Sequence, residues 1–168
     1  VVSHAVLSLG RTYRWKDEDN SVIVIEVSDT GGHYGEIWQP LKLGARDLEL
    51  EEALAAVVRS IQAAAEMIRS GNTVGQVAAA AEASLVKDGW AVPRNAQEPA
   101  APIGHGQGLD AWEIPSISKD NTELIVPGMR FNLHPVVTKK NGQRVSYCDC
   151  YISTDGAAER LSTLPYDV

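Results

Sequence analysis

The chain has 168 residues and 18.1 kDa, one domain's worth of material and enough for a single sizeable core. With 44% hydrophobic and 22% charged residues it reads as a folded globular protein. A net charge of −7 argues against general affinity for nucleic acid or anionic membrane, because phosphate binding needs a concentrated positive field.

Nothing approaches the ~18 to 20 apolar residues of a membrane span, and no basic segment followed by an apolar block opens the chain, so the expectation is cytoplasmic. Cys148 and Cys150, one residue apart, are expected as free thiols, since alternate strand residues sit too far apart for an easy disulfide. The chain opens Val1-Val2 without Met, which we read as a cleaved precursor or a fragment.

Ser21 to Ser28 is a β-branched run between the polar stretch Lys16 to Asn20 and Gly31-Gly32, which predicts a strand, a turn and a second strand through Tyr34 to Trp38. Asp47 to Ser70 has apolar residues at helical spacing, acidic residues early and Arg69 before Gly71, the charge order and stop signal of a long helix. Thr73-Val74 open a second helix to about Lys87, with a small-residue face over Ala78 to Ala83 and Gly89 as its stop.

Asn95 to Pro102 reads as a loop or short linker. Glu123 to Val126, Arg130 to Val137 and Arg144 to Thr154 read as strands, with turns at Pro127-Gly128 and Asn141-Gly142. Strand, strand, helix, helix, then strands is an α+β order.

Five ionisable groups fall in elements expected to be half buried: Glu26, Glu36, His105, His134 and Cys148, the last beside Asp149. Such groups are either paired or functional. His105 lies in Gly104-His105-Gly106-Gln107-Gly108-Leu109, where flanking glycines would let the backbone approach a ligand and leave the imidazole free as a ligand or proton carrier. The loop lacks the Lys-Ser/Thr of a phosphate-binding loop. His33, after a Gly-Gly turn, is expected at the surface, and Tyr13 and Trp15 look like a packed edge.

Four ordered segments carry a family resemblance. They are Val22 to Gly44, Gly104 to Leu109 running on through Glu113-Ile114-Pro115-Ser116-Ile117, Leu124 to Pro135 (LIVPGMRFNLHP), and Arg144 to Leu164. Together they resemble the pita-bread superfamily of methionine aminopeptidases, aminopeptidase P, prolidase and creatinase. The resemblance implies a curved antiparallel sheet covered by helices. Its divisions here would be first-half strands over 1–44, a helix pair over 45–94, and second-half strands with the Gly-His-Gly loop over 95–168. Most of the first helical half would be missing, supplied by a second chain in a homo- or hetero-oligomer.

The family's dinuclear metal centre uses two Asp, one His and two Glu, hard donors for paired divalent ions. The matching positions here are Glu26, Glu36, His105, His134 and Cys148, so only the histidine is kept. A further peptidase histidine is replaced by Trp112 or a neighbour. The resemblance therefore implies no cofactor, in the manner of creatinase, with one Zn, Fe or Mn on those five residues as the alternative.

On this reading the chain is a hydrolase or lyase that cleaves a C–N or amide-like bond of an amino-acid-derived small molecule. His105 is the leading proton carrier, with Glu36, His134 and the upstream His4 as further catalytic residues. Glu26, Trp38, Trp112, Glu113 and Cys148 are expected to bind substrate. Neighbouring carboxylates are expected to hold a histidine proton-loaded near neutral pH. The other readings are a mononuclear metallohydrolase and a non-catalytic binding protein built on the same cavity.

Overall fold

A computed structural model describes residues 21–41, 45–91 and 103–166. His4, Tyr13, Trp15, Gly44 and the Asn95 to Pro102 segment lie outside the described residues, as does the side chain of Glu26. Among the described residues no helix is long and apolar enough to cross a membrane.

The chain begins with an antiparallel hairpin, β1 (Ser21–Ser28) and β2 (Tyr34–Leu41), in which Glu26 is the direct cross-strand partner of Glu36. Asp29 shapes the turn: its carboxylate accepts the Gly31 and His33 amides, and Gly32 takes a positive φ of 82°. His33 is exposed there, as expected.

Helix α1 (Leu48–Met67) starts one residue later than the pattern predicts, because Asp47 is its cap and accepts the Leu50 amide at 3.0 Å. Glu49 and Glu51 in the first turn complement the helix dipole. Leu50, Leu54, Val57, Val58 and Ile61 form its buried stripe. Helix α2 (Val74–Lys87) opens on a capping box between Thr73 and Gln76 and buries Val77, Ala78, Ala81 and Leu85 against α1. Small residues on this face allow close approach, and the Ser60 hydroxyl donates to the Ala81 carbonyl at 3.0 Å across the interface.

The second half is a five-stranded antiparallel sheet with order β4-β3-β5-β8-β9: β3 (Gly104–Gly106), β4 (Glu113–Ser116), β5 (Arg130–Leu133), β8 (Asp149–Ile152) and β9 (Glu159–Arg160). Between β5 and β8 the chain makes a separate hairpin, β6 (Val136–Thr138) and β7 (Arg144–Ser146), which packs on α1. The predicted strands Arg130 to Val137 and Arg144 to Thr154 are therefore each two strands. They divide around His134-Pro135 and Tyr147-Cys148, and Pro135 has no amide to continue a ladder. Glu123 to Val126 is not a strand; Leu124 makes only an isolated bridge to Thr73, and the segment covers the start of α2.

Side chains from both helices and from β5, β7 and β8 share one core, which includes Ile61, Leu85, Phe131, Leu133 and Tyr147. The β2 strand lies against this second half. The Tyr34 amide donates to the Gly108 carbonyl at 2.8 Å, and the Cys148 amide to the Trp38 carbonyl at 3.2 Å. These anchors bring the side chain of Glu36, midway between them on β2, over β3 and β5.

Candidate active site

Gly104 and Gly106 explain why His105 sits where it does. A Cβ on Gly104 would run into the backbone carbonyl of Asn132 on β5, and one on Gly106 into that of Ile114 on β4. The glycines are thus required for β4 and β5 to close up on β3, a different role from the expected close approach of backbone to ligand. His105 is left as the only side chain of β3, held in register with Asn132 on one side and Ser116 on the other.

The His105 imidazole is 6% exposed. Its Nδ1 lies 2.8 Å from the Gly106 carbonyl oxygen, which fixes the proton on Nδ1 in the neutral ring and turns Nε2 toward Glu36. Nε2 stands 3.5 Å from Oε2 of Glu36, which is itself 4% exposed.

Glu36 is anchored at both oxygens. Its Oε1 accepts the Trp38 indole N–H, and its Oε2 accepts the Asn132 side-chain amide at 2.7 Å. Burying a carboxylate is costly without such donors, and here each oxygen has one. Asn132 is 1% exposed and also accepts from the Cys150 thiol at 2.6 Å; that thiol lies 2.9 Å from the Glu36 carbonyl as well. Asn132 was not among the residues singled out by sequence. The available signal was its place two residues before His134 in a buried strand segment, polar between Phe131 and Leu133.

His134 stacks flat on Trp38 with ring centroids 4.7 Å apart and lies 5.0 Å from the His105 ring. Its Nε2 is buried and has no hydrogen-bond partner. Burial and then the neighbouring His105 push its pKa down to about 4. His134 is thus neutral near pH 7, because burial of its ring disfavours the charged form.

Trp112 is 59% exposed and reaches the site edge, 5.8 Å from the His105 ring. Glu113 turns back into its own loop, accepting the Asp110 amide at 2.8 Å. Cys148 is buried beside β2, and burial pushes its thiol pKa well above the usual range, followed by the charge of Glu36. Both cysteines are free thiols, as expected. Asp149 is committed to structure, accepting from Arg160 and from the Tyr166 hydroxyl at 2.5 Å. The structure thus brings together Glu36, Trp38, His105 and His134, with Trp112 at the rim, and the register sets Glu26 opposite Glu36.

The hairpin, the helix pair and the antiparallel sheet match the pita-bread class of fold. The chain belongs to metallopeptidase family M24, whose model matches residues 9–155. Among curated proteins it is 29% identical over 157 residues to "Probable dipeptidase PepE" of Mycobacterium tuberculosis, covering 89% of this chain and 39% of that protein. Among solved structures it is similar to dipeptidase PepE from Mycobacterium ulcerans, with 26% identity, a TM-score of 0.76, and 88% and 38% of the two chains covered. The fold is shared with prolidase from Pyrococcus furiosus (TM-score 0.78, 20% identity, 96% and 46% covered). Methionine aminopeptidase from Rickettsia prowazekii also shares it (TM-score 0.70, 18% identity, 83% and 62% covered). The chain spans about 39% of the length of the curated relatives it matches.

Membership in a metallopeptidase family corrects the expectation that no cofactor is involved. His134 Nε2 is an orphaned donor of the right kind for a metal ion. The other candidates do not join it in a cluster: both Glu36 oxygens are held, by Trp38 and Asn132. Among the described residues no group of three or more His, Cys, Asp or Glu side chains converges to hold a metal ion, so they do not fit the dinuclear centre of carboxylates implied by the resemblance.

Proposed function

We propose that this chain carries the reaction centre of a hydrolase that cleaves an amide-like or other C–N bond in a small amino-acid-derived substrate, with His105 as the proton carrier. The observation that supports this most is the buried His105–Glu36 pair, 3.5 Å apart and fixed from both sides. Matches to a dipeptidase and to prolidase folds favour hydrolysis over elimination.

In the proposed cycle, the lone pair on His105 Nε2 takes a proton from water as the water oxygen bonds to the electrophilic carbon. Glu36 stabilises the resulting imidazolium. The same proton then passes from Nε2 to the leaving nitrogen as the C–N bond breaks, so one water is consumed and the neutral imidazole returns. Neutral His134, stacked on Trp38, offers Nε2 to a substrate N–H, and Trp112 forms the outer wall. In this reading Glu26 is a second carboxylate for a cationic part of the substrate, and His4 a second proton carrier.

The reading also includes a second chain as partner, in a homo- or hetero-oligomer. The test is turnover of a panel of dipeptides and N-substituted amino acids by the purified protein with its co-purifying partner, with and without added divalent metal. His105→Ala is expected to lower the rate at least about a hundredfold, and Glu36→Gln at least tenfold, with folding retained. A His105→Ala enzyme of undiminished rate, or a folded wild type inert toward the whole panel, overturns the proposal. A monomer that unfolds cooperatively alone overturns the second chain.

A further inference from the structure

On the side of β2 that faces β8, a cavity of about 170 Å³ opens between Ile37, Arg130, Cys150, Leu161 and Ser162. Glu36 contributes to the wall, but its carboxylate is held by Trp38 and Asn132 while its carbonyl accepts the Cys150 thiol.

Arg130 is the unusual member of this lining. Among the described residues only two arginines are partly buried, and the other, Arg160, is paired with Asp149. The Arg130 guanidinium donates to the Tyr34 carbonyl at 2.8 Å through one nitrogen and has no carboxylate partner among the described residues. A guanidinium carries five N–H donors in a planar fork that matches a carboxylate, so most of that fork is uncommitted. The Ser162 hydroxyl oxygen accepts the Leu164 amide at 3.1 Å, which leaves its own proton to donate. Two uncommitted donors therefore border a floor made of Ile37, Leu161 and the Cys150 side chain.

We propose that this cavity is a binding site for an organic carboxylate with a short apolar tail, its carboxylate on Arg130 and Ser162 and its tail against Ile37 and Leu161. One fork and one hydroxyl suit two acceptor oxygens, and the apolar floor favours a tail over a second charged group. The site is separate from the reaction proposed at His105, and binding alone reads it out.

The test titrates butyrate into ¹⁵N-labelled protein and follows amide shifts of Ile37, Arg130 and Leu161, with n-butanol, butylammonium and inorganic phosphate as comparisons. Butyrate is expected to saturate these shifts and to bind at least tenfold more tightly than the other three. Arg130→Gln, which can still donate to Tyr34, is expected to weaken butyrate at least tenfold, and Ser162→Ala several-fold. Should Arg130→Gln fail to fold, Leu161→Trp fills the cavity from its other wall and is expected to abolish the shifts. Equal binding of butanol, tighter binding of phosphate, or unaltered butyrate affinity in a folded Arg130→Gln or Leu161→Trp protein overturns the site.

Discussion

Asn132 donates to Oε2 of Glu36 at 2.7 Å, and that same oxygen faces Nε2 of His105 at 3.5 Å. The amide group of Asn132 thus decides where the buried carboxylate points, and its own oxygen is held in turn by the Cys150 thiol at 2.6 Å.

Replacing Asn132 with Leu keeps most of the volume but removes one donor from the buried Glu36 carboxylate, while the Cys150 thiol keeps the Glu36 carbonyl. Loss of about 1–3 kcal/mol of stability follows from removing a hydrogen bond to a buried charged group, and urea denaturation measures it. If Asn132 acts by aiming Glu36, kcat falls while KM moves little. The double variant with Glu36→Gln then falls by less than the product of the single effects. Independent, multiplicative effects would place the role of Asn132 elsewhere.

His134 makes stability depend on pH in a defined direction. Its folded pKa of about 4 lies below the ordinary histidine value, so between roughly pH 4 and 6.5 the unfolded chain binds a proton that the folded one does not. Stability therefore rises with pH through that window and is lost on acidification, by as much as about 3 kcal/mol for the full shift. The check is the imidazole Cε1–H resonance, expected to keep its neutral position down to about pH 5. His134→Phe, which keeps the stack on Trp38, is expected to flatten this part of the stability profile; an unaltered slope would assign it to other groups.

Much of this was legible from the residues. The Asp47 and Thr73 caps, the acidic first turn of α1 and the glycine stops are local signals, and local hydrogen bonding enforces them. The motif around His105 marked the candidate site, and β4 and β5 can close on β3 only around glycines at 104 and 106. What sequence did not show depends on contacts between distant segments. Arg130 to Val137 has one continuous apolar pattern, and its division at His134-Pro135 reflects the bend that takes β6 off the sheet toward α1. The neutral state of His134 depends on Trp38, 96 residues away, whose ring covers it. Nothing in the run from Phe131 to Pro135 announces that cover.

Cys148 and Cys150 give a direct measure of how closed the floor of the site is. Burial raises both thiols, Cys148 well above the usual range and Cys150 to about 11. At pH 8 only about one Cys150 in a thousand is then the reactive thiolate, before access is considered. Iodoacetamide at pH 8 is expected to leave the peptide containing both cysteines unmodified in the native protein and to label it twice in guanidinium, as read by mass spectrometry. Labelling of Cys150 but not Cys148 in the native state would show that the cavity beside Arg130 admits the reagent to that thiol. Rapid labelling of Cys148 would mean an accessible thiolate beside Trp38. The burial that holds this thiol protonated would then be wrong.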